Sequence, residues 1–268
     1  MADPRKRYGT HAPPESLDSL DGVLVVDKPS GPTSHDIVDK IRRHFGLKKV
    51  GHGGTLDPQA TGVLVMLLGR GTKLSQIFMG SDKTYEGIMR LGIATDSQDA
   101  QGKVVREGDW VPVTREQVEA EMRKMTGDIM QTPPMVSAVK LDGVPLYKRA
   151  RKGEVVERKP KLIHVYELVL KQFTPPRVDF SIRCTKGTYV RTICADMGDA
   201  LGCGAHLEAL RRVESGQLHV RDAMTMEKVL AMNREELRHA VIPISRFSSR
   251  GLDAPAGGSA PQGESRAK

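Results

Sequence analysis

Cysteine is scarce: Cys184, Cys194 and Cys203 are the only three in 268 residues, and no two form a C-x-x-C pair. That spacing supplies neither a zinc ligand set nor a disulfide framework, so the chain is expected to carry reduced thiols and no metal. Long hydrophobic runs are also missing. No apolar segment approaches the roughly 20 residues of a membrane-spanning helix. The first residues form neither a secretory signal nor a transit peptide, because Asp3, Glu15, Asp18 and Asp21 interrupt the basic Arg5-Lys6-Arg7. These absences point to the cytoplasm. A phosphate cradle is absent too: neither Gly51–Gly54 nor Gly69–Lys73 has the GxxxxGK[ST] spacing. No internal repeat is visible.

What the chain has is basic charge. Lys and Arg number 41 against 33 Asp and Glu, a formal net charge of +8. Such a balance suits a polyanionic partner, since each phosphate contact releases counterions. A generic basic enzyme would show the same sum. The length is ample for a real core, in one large domain or two small ones.

The chain is organised around Val50–Leu64, VGHGGTLDPQATGVL. Gly51, Gly53 and Gly54 surround His52 and permit close backbone approach. Pro58 biases Asp57 away from the α region and sets its exit direction. The apolar Thr61–Gly69 run then anchors the loop on the core. Asp57 is therefore either a turn residue bonding its own backbone or a single carboxylate held still for chemistry, and the spacing alone leaves both open.

Around this loop the pattern alternates irregularly between strands and helices. Residues 1–20 are polar and proline-containing, an expected disordered arm. Gly22–Asp27 reads as a buried strand. Ser34 is the expected cap of a helix with Ile37, Val38, Ile41 and Phe45 on its apolar face, ending at Gly46. Arg42, Arg43, Lys48 and Lys49 on its polar side are either a solvated face or a guide for a phosphate backbone. Thr72–Met79 reads as helical and Lys83–Ile93 as a strand, with Thr95–Gly102 turn-like. Thr114–Gly127 is the clearest helix, opened by a Thr114/Gln117 capping box. After the proline-bearing loop Gln131–Lys140, Asp142-Gly143 marks a hairpin, and Pro145–Lys152 reads as a short basic helix. Strands are expected at Ile163–Phe173 and Val178–Thr185, then Lys186–Arg191 opening a helix to about Leu201. A strand over Ala205–Gly216 follows, then short helices near Met226–Met232 and Arg234–Ala240. Gly251–Lys268 is rich in Gly, Ala, Pro and Ser, a loose tail. The irregular alternation argues for α+β with a mixed, largely antiparallel sheet.

Six motifs in order then carry a resemblance. GHxGxLDPxATGxL stands at Gly51–Leu64, DKPxGxTS at Asp27–Ser34, KxY at Lys83–Tyr85, RLGxxTDxxDxxG at Arg90–Gly102, KGTYxRT at Lys186–Thr192 and LGCGAHLxxLRR at Leu201–Arg212. Over about Gly22–Val229 the chain resembles the bacterial tRNA pseudouridine synthase B (TruB) family. The resemblance implies the pseudouridine synthase fold, with helices flanking the central sheet and a catalytic cleft across it. It implies an isomerase of tRNA processing that uses no cofactor and no metal and converts uridine at position 55 of the tRNA T loop to its C5-glycoside. The reaction needs a nucleophile but no redox group or donor. Asp57 matches the nucleophile, and a nearby cation should hold its pKa down. Arg191 matches its partner. Tyr85 matches the aromatic that packs on the flipped uracil and a candidate for removing the C5 proton. Tyr189 and Leu210 match positions framing the base pocket, and His52 a histidine that assists extrusion of the base. Lys28 and Lys73 match positions near the RNA-binding face.

Taken without the family, Tyr85 suits a half-buried strand, and His52 suits a structural hydrogen bonder. Tyr189 and Arg191, alternating in an extended segment, would face one side of either a surface or a pocket. Two departures stand out. Val136 replaces the tyrosine of the family's PxYSAxK loop, and no C-terminal PUA-type domain is expected, only a single catalytic domain over 21–248 and a disordered tail over 249–268. The partner implied is the T arm of tRNA, bound by a monomer with no membrane and no obligate protein partner. Two alternatives stand beside this reading: a catalytically silent tRNA-binding or folding factor, and a synthase acting on another structured RNA.

Overall fold

A β-branched, apolar run with no turn formers makes a strand that can be buried on both faces. In the computed structural model, which describes residues 20–135, 137, 140–141, 144–145 and 156–247, the chain opens with such a strand. β1 spans Gly22–Lys28 and buries every residue except the half-buried Asp27. There follow α1 (Ser34–His44), β2 (Val50–His52), β3 (Thr61–Leu68), α2 (Ser75–Gly80), β4 (Lys83–Leu91), β5 (Ile93–Thr95) and β6 (Val104–Glu107). The middle of the chain forms α3 (Arg115–Lys124), β7 (Gly127–Gln131), β8 (Lys140–Leu141), β9 (Val144–Pro145), β10 (Lys161–Thr174) and β11 (Arg177–Cys184). The last part forms α4 (Val190–Ala200), β12 (Ala205–Ser215), β13 (Leu218–His219), β14 (Met224–Thr225), α5 (Met226–Ala231), α6 (Arg234–Ala240) and β15 (Ile242–Pro243).

Eleven of these strands form one sheet in the order β14-β1-β3-β12-β4-β11-β10-β7, with β2 beside β3, β13 beside β12 and β15 beside β1. The pairs β1·β14 and β3·β12 are parallel. The rest are antiparallel, so the sheet is mixed and largely antiparallel, as expected.

The two halves of the sheet are buried differently, and this positions the site. Around β1 and β3, alternate residues feed two cores. Leu24, Val26, Leu64 and Met66 pack with Ile37, Val38 and Ile41 of α1, whereas Val23, Val25, Val63 and Val65 pack with Leu74, Phe78 and Phe247. Around β4 and β11 only one face is covered. Met89, Leu91, Val178, Phe180 and Ile182 pack against Val118 and Met122 of α3 and Ile193 and Met197 of α4. Opposite them, Glu86 is exposed and Ile88 and Asp179 are half-buried. The sheet therefore presents an open face beside the strand that follows the glycine loop.

The Thr114/Gln117 capping box forms as expected, and β8 and β9 pair antiparallel where Asp-Gly marked a hairpin. The cap of α1 differs from expectation. Thr33, not Ser34, caps it through a capping box with Asp36, which releases the Ser34 hydroxyl for a longer-range contact. The Thr72–Met79 segment divides into a 3₁₀ turn, Gly69–Leu74, and α2. Leu20, expected in the N-terminal arm, is 5% exposed and belongs to the core. The rest of that arm, Val136, residues 146–152 of the basic helix and the tail lie outside the described residues.

Candidate active site

The loop between β2 and β3 carries Asp57, and buried polar side chains from distant parts of the chain hold it. Ser34, 2% exposed, donates to the Leu56 carbonyl at 3.1 Å and accepts from the Leu56 N–H at 2.9 Å. Lys28, fully buried, donates to the carbonyls of Pro58 and Ala60, both at 2.8 Å, and of Pro29 at 2.9 Å. Arg212, 1% exposed, donates to the carbonyls of Gly54 at 3.1 Å, Thr55 at 3.3 Å and Val63 at 2.7 Å. The backbone on both sides of Asp57 is thus pinned by charge-assisted hydrogen bonds, the strong class. Glycine is required where the loop lies on its neighbours. A Cβ at Gly53 would stand 2.5 Å from Phe78 Cβ, and one at Gly62 would stand 2.2 Å from the Arg212 carbonyl oxygen. Asp57 itself remains 48% exposed at the side chain.

Its charge partner is Arg191, whose Nε lies 3.4 Å from Asp57 Oδ2 while the side chain is only 3% exposed. Arg191 does not alternate with Tyr189 in an extended segment, as the sequence pattern had it. Tyr189 caps α4 and Arg191 sits in its first turn. The guanidinium lies over the Tyr189 ring, 5.5 Å from its centroid. It also donates through Nη1 to the Ser97 carbonyl at 3.2 Å and approaches Asp99 Oδ2 at 3.9 Å. The polar Thr95–Gly102 segment brings these groups in. Gln98 there adopts φ +66, a conformation costly for a non-glycine residue, and accepts from the Thr192 hydroxyl at 2.7 Å. Gln131 holds the turn from the other side, donating to the Tyr189 carbonyl and accepting from its N–H.

Tyr85 lies on β4, half-buried against the α3–α4 core. Burial raises its pKa, and the nearby Arg212 charge opposes that shift without reversing it. Asp57 is near enough to raise the pKa values of both Tyr85 and Tyr189. A cleft of about 830 Å³ opens over the uncovered sheet face and is lined by Asp57, Asp99, Leu210, Glu86, Ile88 and Arg211 among others. Asp57 and Leu210 border it, whereas Tyr85, Tyr189 and Arg191 are not in its lining. His52 ends β2 half-buried, and its Nδ1 accepts from the Gly54 N–H at 3.3 Å. Burial, then the Arg212 charge, lowers its pKa, so it is neutral at pH 7. Lys73 is exposed on the 3₁₀ turn. Lys28 is not on a surface: burial lowers its pKa to about 8, and its ammonium is spent on the loop.

The structure brings Asp57, Arg191, Tyr189 and Tyr85 together, adds Leu210 at the cleft wall, and moves Lys28 into the support. Sequence reasoning missed Ser34, Asp99, Gln131 and Arg212 as parts of the site. Ser34, Asp99 and Arg212 do stand inside motifs already quoted, and that was their only signal for the site. Chemically, the arrangement offers one exposed carboxylate fixed at the edge of a cleft, with a buried guanidinium behind it and a phenol beside it. That suits a single carboxylate nucleophile rather than an acid–base pair.

The family model for the TruB family pseudouridylate synthase N-terminal domain matches residues 42–190, and that for the tRNA pseudouridylate synthase B C-terminal domain matches residues 191–247. Asp57 and Arg191 fall on opposite sides of this division, while β3, from the first segment, pairs with β12, from the second. The tRNA pseudouridine synthase B of Opitutus terrae is 51% identical over 225 residues, covering 84% of this chain and 93% of that one. That of Syntrophotalea carbinolica is 48% identical over 226 residues, covering 84% and 74%. Among solved structures, a chain of a Cbf5-Nop10-Gar1 complex superposes with a TM-score of 0.68 at 30% identity, over 85% of this chain and 61% of that one. The α+β architecture is therefore the pseudouridine synthase fold, and the chain belongs to the TruB family of pseudouridylate synthases.

Proposed function

We propose that this protein isomerises uridine at position 55 in the T loop of tRNA to pseudouridine, with Asp57 as nucleophile. The observation that carries the reading is the Asp57 carboxylate at the cleft edge, 3.4 Å from a buried Arg191 and anchored through its backbone on both sides. The relatives that match over most of their length are named tRNA pseudouridine synthase B.

The N-glycosidic bond breaks, the uracil turns, and the ribose re-bonds to C5, with no atom gained or lost. Asp57 attacks, Arg191 is its charge partner, and Tyr189 and Leu210 frame the base. Tyr85 stacks on the base and faces C5 in the last step. A uridine inside a folded T loop is inaccessible, so it is flipped out, and His52 takes part of its stacking place. Arg42, Arg43, Lys48, Lys49 and Lys73 are all exposed and supply positive charge for the T-arm phosphates. Residues 21–248 act as one catalytic unit, a monomer without protein partner, in the cytoplasm. Among the described residues no helix is long and apolar enough to cross a membrane.

The test is tritium release from an unmodified tRNA transcript carrying 5-³H-uridine, with Asp57→Ala alongside. One equivalent released by the parent and none by the variant is the expected result, and mapping the product places it at position 55. Bound tRNA without release would favour a silent folding factor. Release mapped elsewhere would favour another structured RNA.

A further inference from the structure

Helix α4 carries the cation of the site in its first turn, and that turn has little local support. Its cap residue is Tyr189, whose side chain makes no capping hydrogen bond, and no acidic residue stands in the first turn. Tyrosine is not among the residues that cap a helix well. Arg191 in addition sets a positive charge at the helix's positive end, where it is disfavoured. The body of the helix is secured differently, because Val190, Ile193, Cys194 and Met197 are buried in the core shared with β4 and β11. The weak point is the start, and the start holds Tyr189 and Arg191.

Support comes from 58 residues upstream. Gln131 ends β7 opposite Lys161 of β10 and is 3% exposed. Its amide donates to the Tyr189 carbonyl at 3.1 Å and accepts from the Tyr189 N–H at 2.8 Å. Both bonds fall on one residue, as a facing strand residue would make them, so they fix the Tyr189 backbone in direction as well as in place. The same carbonyl accepts the first N–H groups of the helix, from Thr192 at 3.1 Å and Ile193 at 3.2 Å.

We propose that Gln131 is a positioning residue that sets the first turn of α4 through the Tyr189 backbone, and with it the Tyr189 ring and the Arg191 guanidinium. This rests on the reading above that Tyr189 frames the flipped base and Arg191 partners Asp57. The guanidinium lies over the Tyr189 ring and 3.4 Å from Asp57 Oδ2, so fraying of this turn displaces both groups together. The role needs an amide. Methionine fills the space but makes neither bond, and an ionised glutamate only accepts. The clamp therefore governs the rate of the chemical step, while affinity for tRNA rests on phosphate contacts elsewhere.

The test separates this role from a purely structural one. Single-turnover pseudouridine formation at saturating enzyme and the Kd for tRNA are measured for the parent, Q131M, R191M and the double variant, with urea unfolding alongside. Q131M is expected to slow the chemical step about 10- to 100-fold, on the scale of a misplacement of about 1 Å, and to leave Kd unchanged. The double variant should lose far less than the product of the two single losses, because both act through one turn. A Q131M that lowers only the urea midpoint, a loss confined to Kd, or losses that multiply would each overturn the proposal. Should Q131M fail to fold, the α-hydroxy acid of tyrosine at position 189 removes only the N–H that Gln131 accepts and leaves every side chain in place. It should slow the same step with Kd unchanged, and an unchanged rate would overturn the proposal. An inactive parent would overturn the functional reading and this one together, whereas an active parent with a negative result overturns this one alone.

Discussion

Lys28→Met tests whether a buried ammonium, rather than the turn's own residues, holds Asp57. Methionine nearly fills the volume but donates nothing. Pro29 is exposed, and the Pro58 carbonyl keeps a second donor in Gly31 N–H at 2.9 Å. The Ala60 carbonyl, on a residue 3% exposed, is the one left orphaned, at a cost of about 1–3 kcal/mol. Relief of the buried charge offsets that cost at neutral pH, so the change in stability there is small. The difference appears on raising the pH. In the folded protein burial lowers the Lys28 pKa to about 8, whereas in the unfolded chain it stays near 10.5. Between these values the unfolded chain holds a proton that the folded protein has released, so Lys28 adds stability as pH rises. The gap corresponds to about 3 kcal/mol when complete, gained at about 1.4 kcal/mol per pH unit. Lys83, also lowered to about 8 by burial, is present in both proteins and cancels in the difference. Urea unfolding of parent and variant at pH 7, 8, 9 and 9.5 should show the parent's advantage growing by about 2 kcal/mol between pH 8 and 9.5. At pH 7 the variant's single-turnover rate should fall about 10- to 100-fold, because a misplacement of about 1 Å costs on that order. A pH-independent stability difference with an unchanged rate would refute the reasoning.

Other outcomes follow from the same contacts. Ser34→Ala removes both hydrogen bonds to Leu56 and should lower stability by about 1–3 kcal/mol in urea unfolding; an unmoved midpoint would show that the pair holds nothing. Gly62→Ala places a Cβ 2.2 Å from the Arg212 carbonyl at φ +97 and should cost more than about 2 kcal/mol, read as a lowered melting temperature. Arg191→Met should cut single-turnover pseudouridine formation about 10²- to 10³-fold, on the scale of losing one preorganised donor, while filter binding still retains tRNA; an unchanged rate would remove Arg191 from the chemistry. The Kd for tRNA should weaken steadily with added salt as a straight line in log–log form, and a flat titration would deny the basic face a part in binding.

Local sequence determined a great deal here. The alternation of β1 and β3, the capping box of α3 and the glycine loop around Asp57 all follow from neighbours a few residues apart. Short-range sterics and periodicity act at that distance. The motifs likewise named Asp57, Tyr85 and Arg191. What local pattern misread were side chains whose partners lie far along the chain. Ser34 looked like a helix cap, but it bonds Leu56, 22 residues away. The resemblance put Lys28 near an RNA-binding face, yet its ammonium reaches Ala60, 32 residues on. Arg191 was expected to alternate with Tyr189 in an extended lead-in to the helix and proved to lie in the helix's first turn. Arg212 gave no sign of its role, because its partners Gly54 and Thr55 are 158 and 157 residues distant. A carbonyl or hydroxyl so remote in sequence leaves no mark on the composition or period around the residue that binds it. Only the tertiary placement of β12, parallel to β3 on one side and antiparallel to β4 on the other, decided which cation would sit beneath the Asp57 loop.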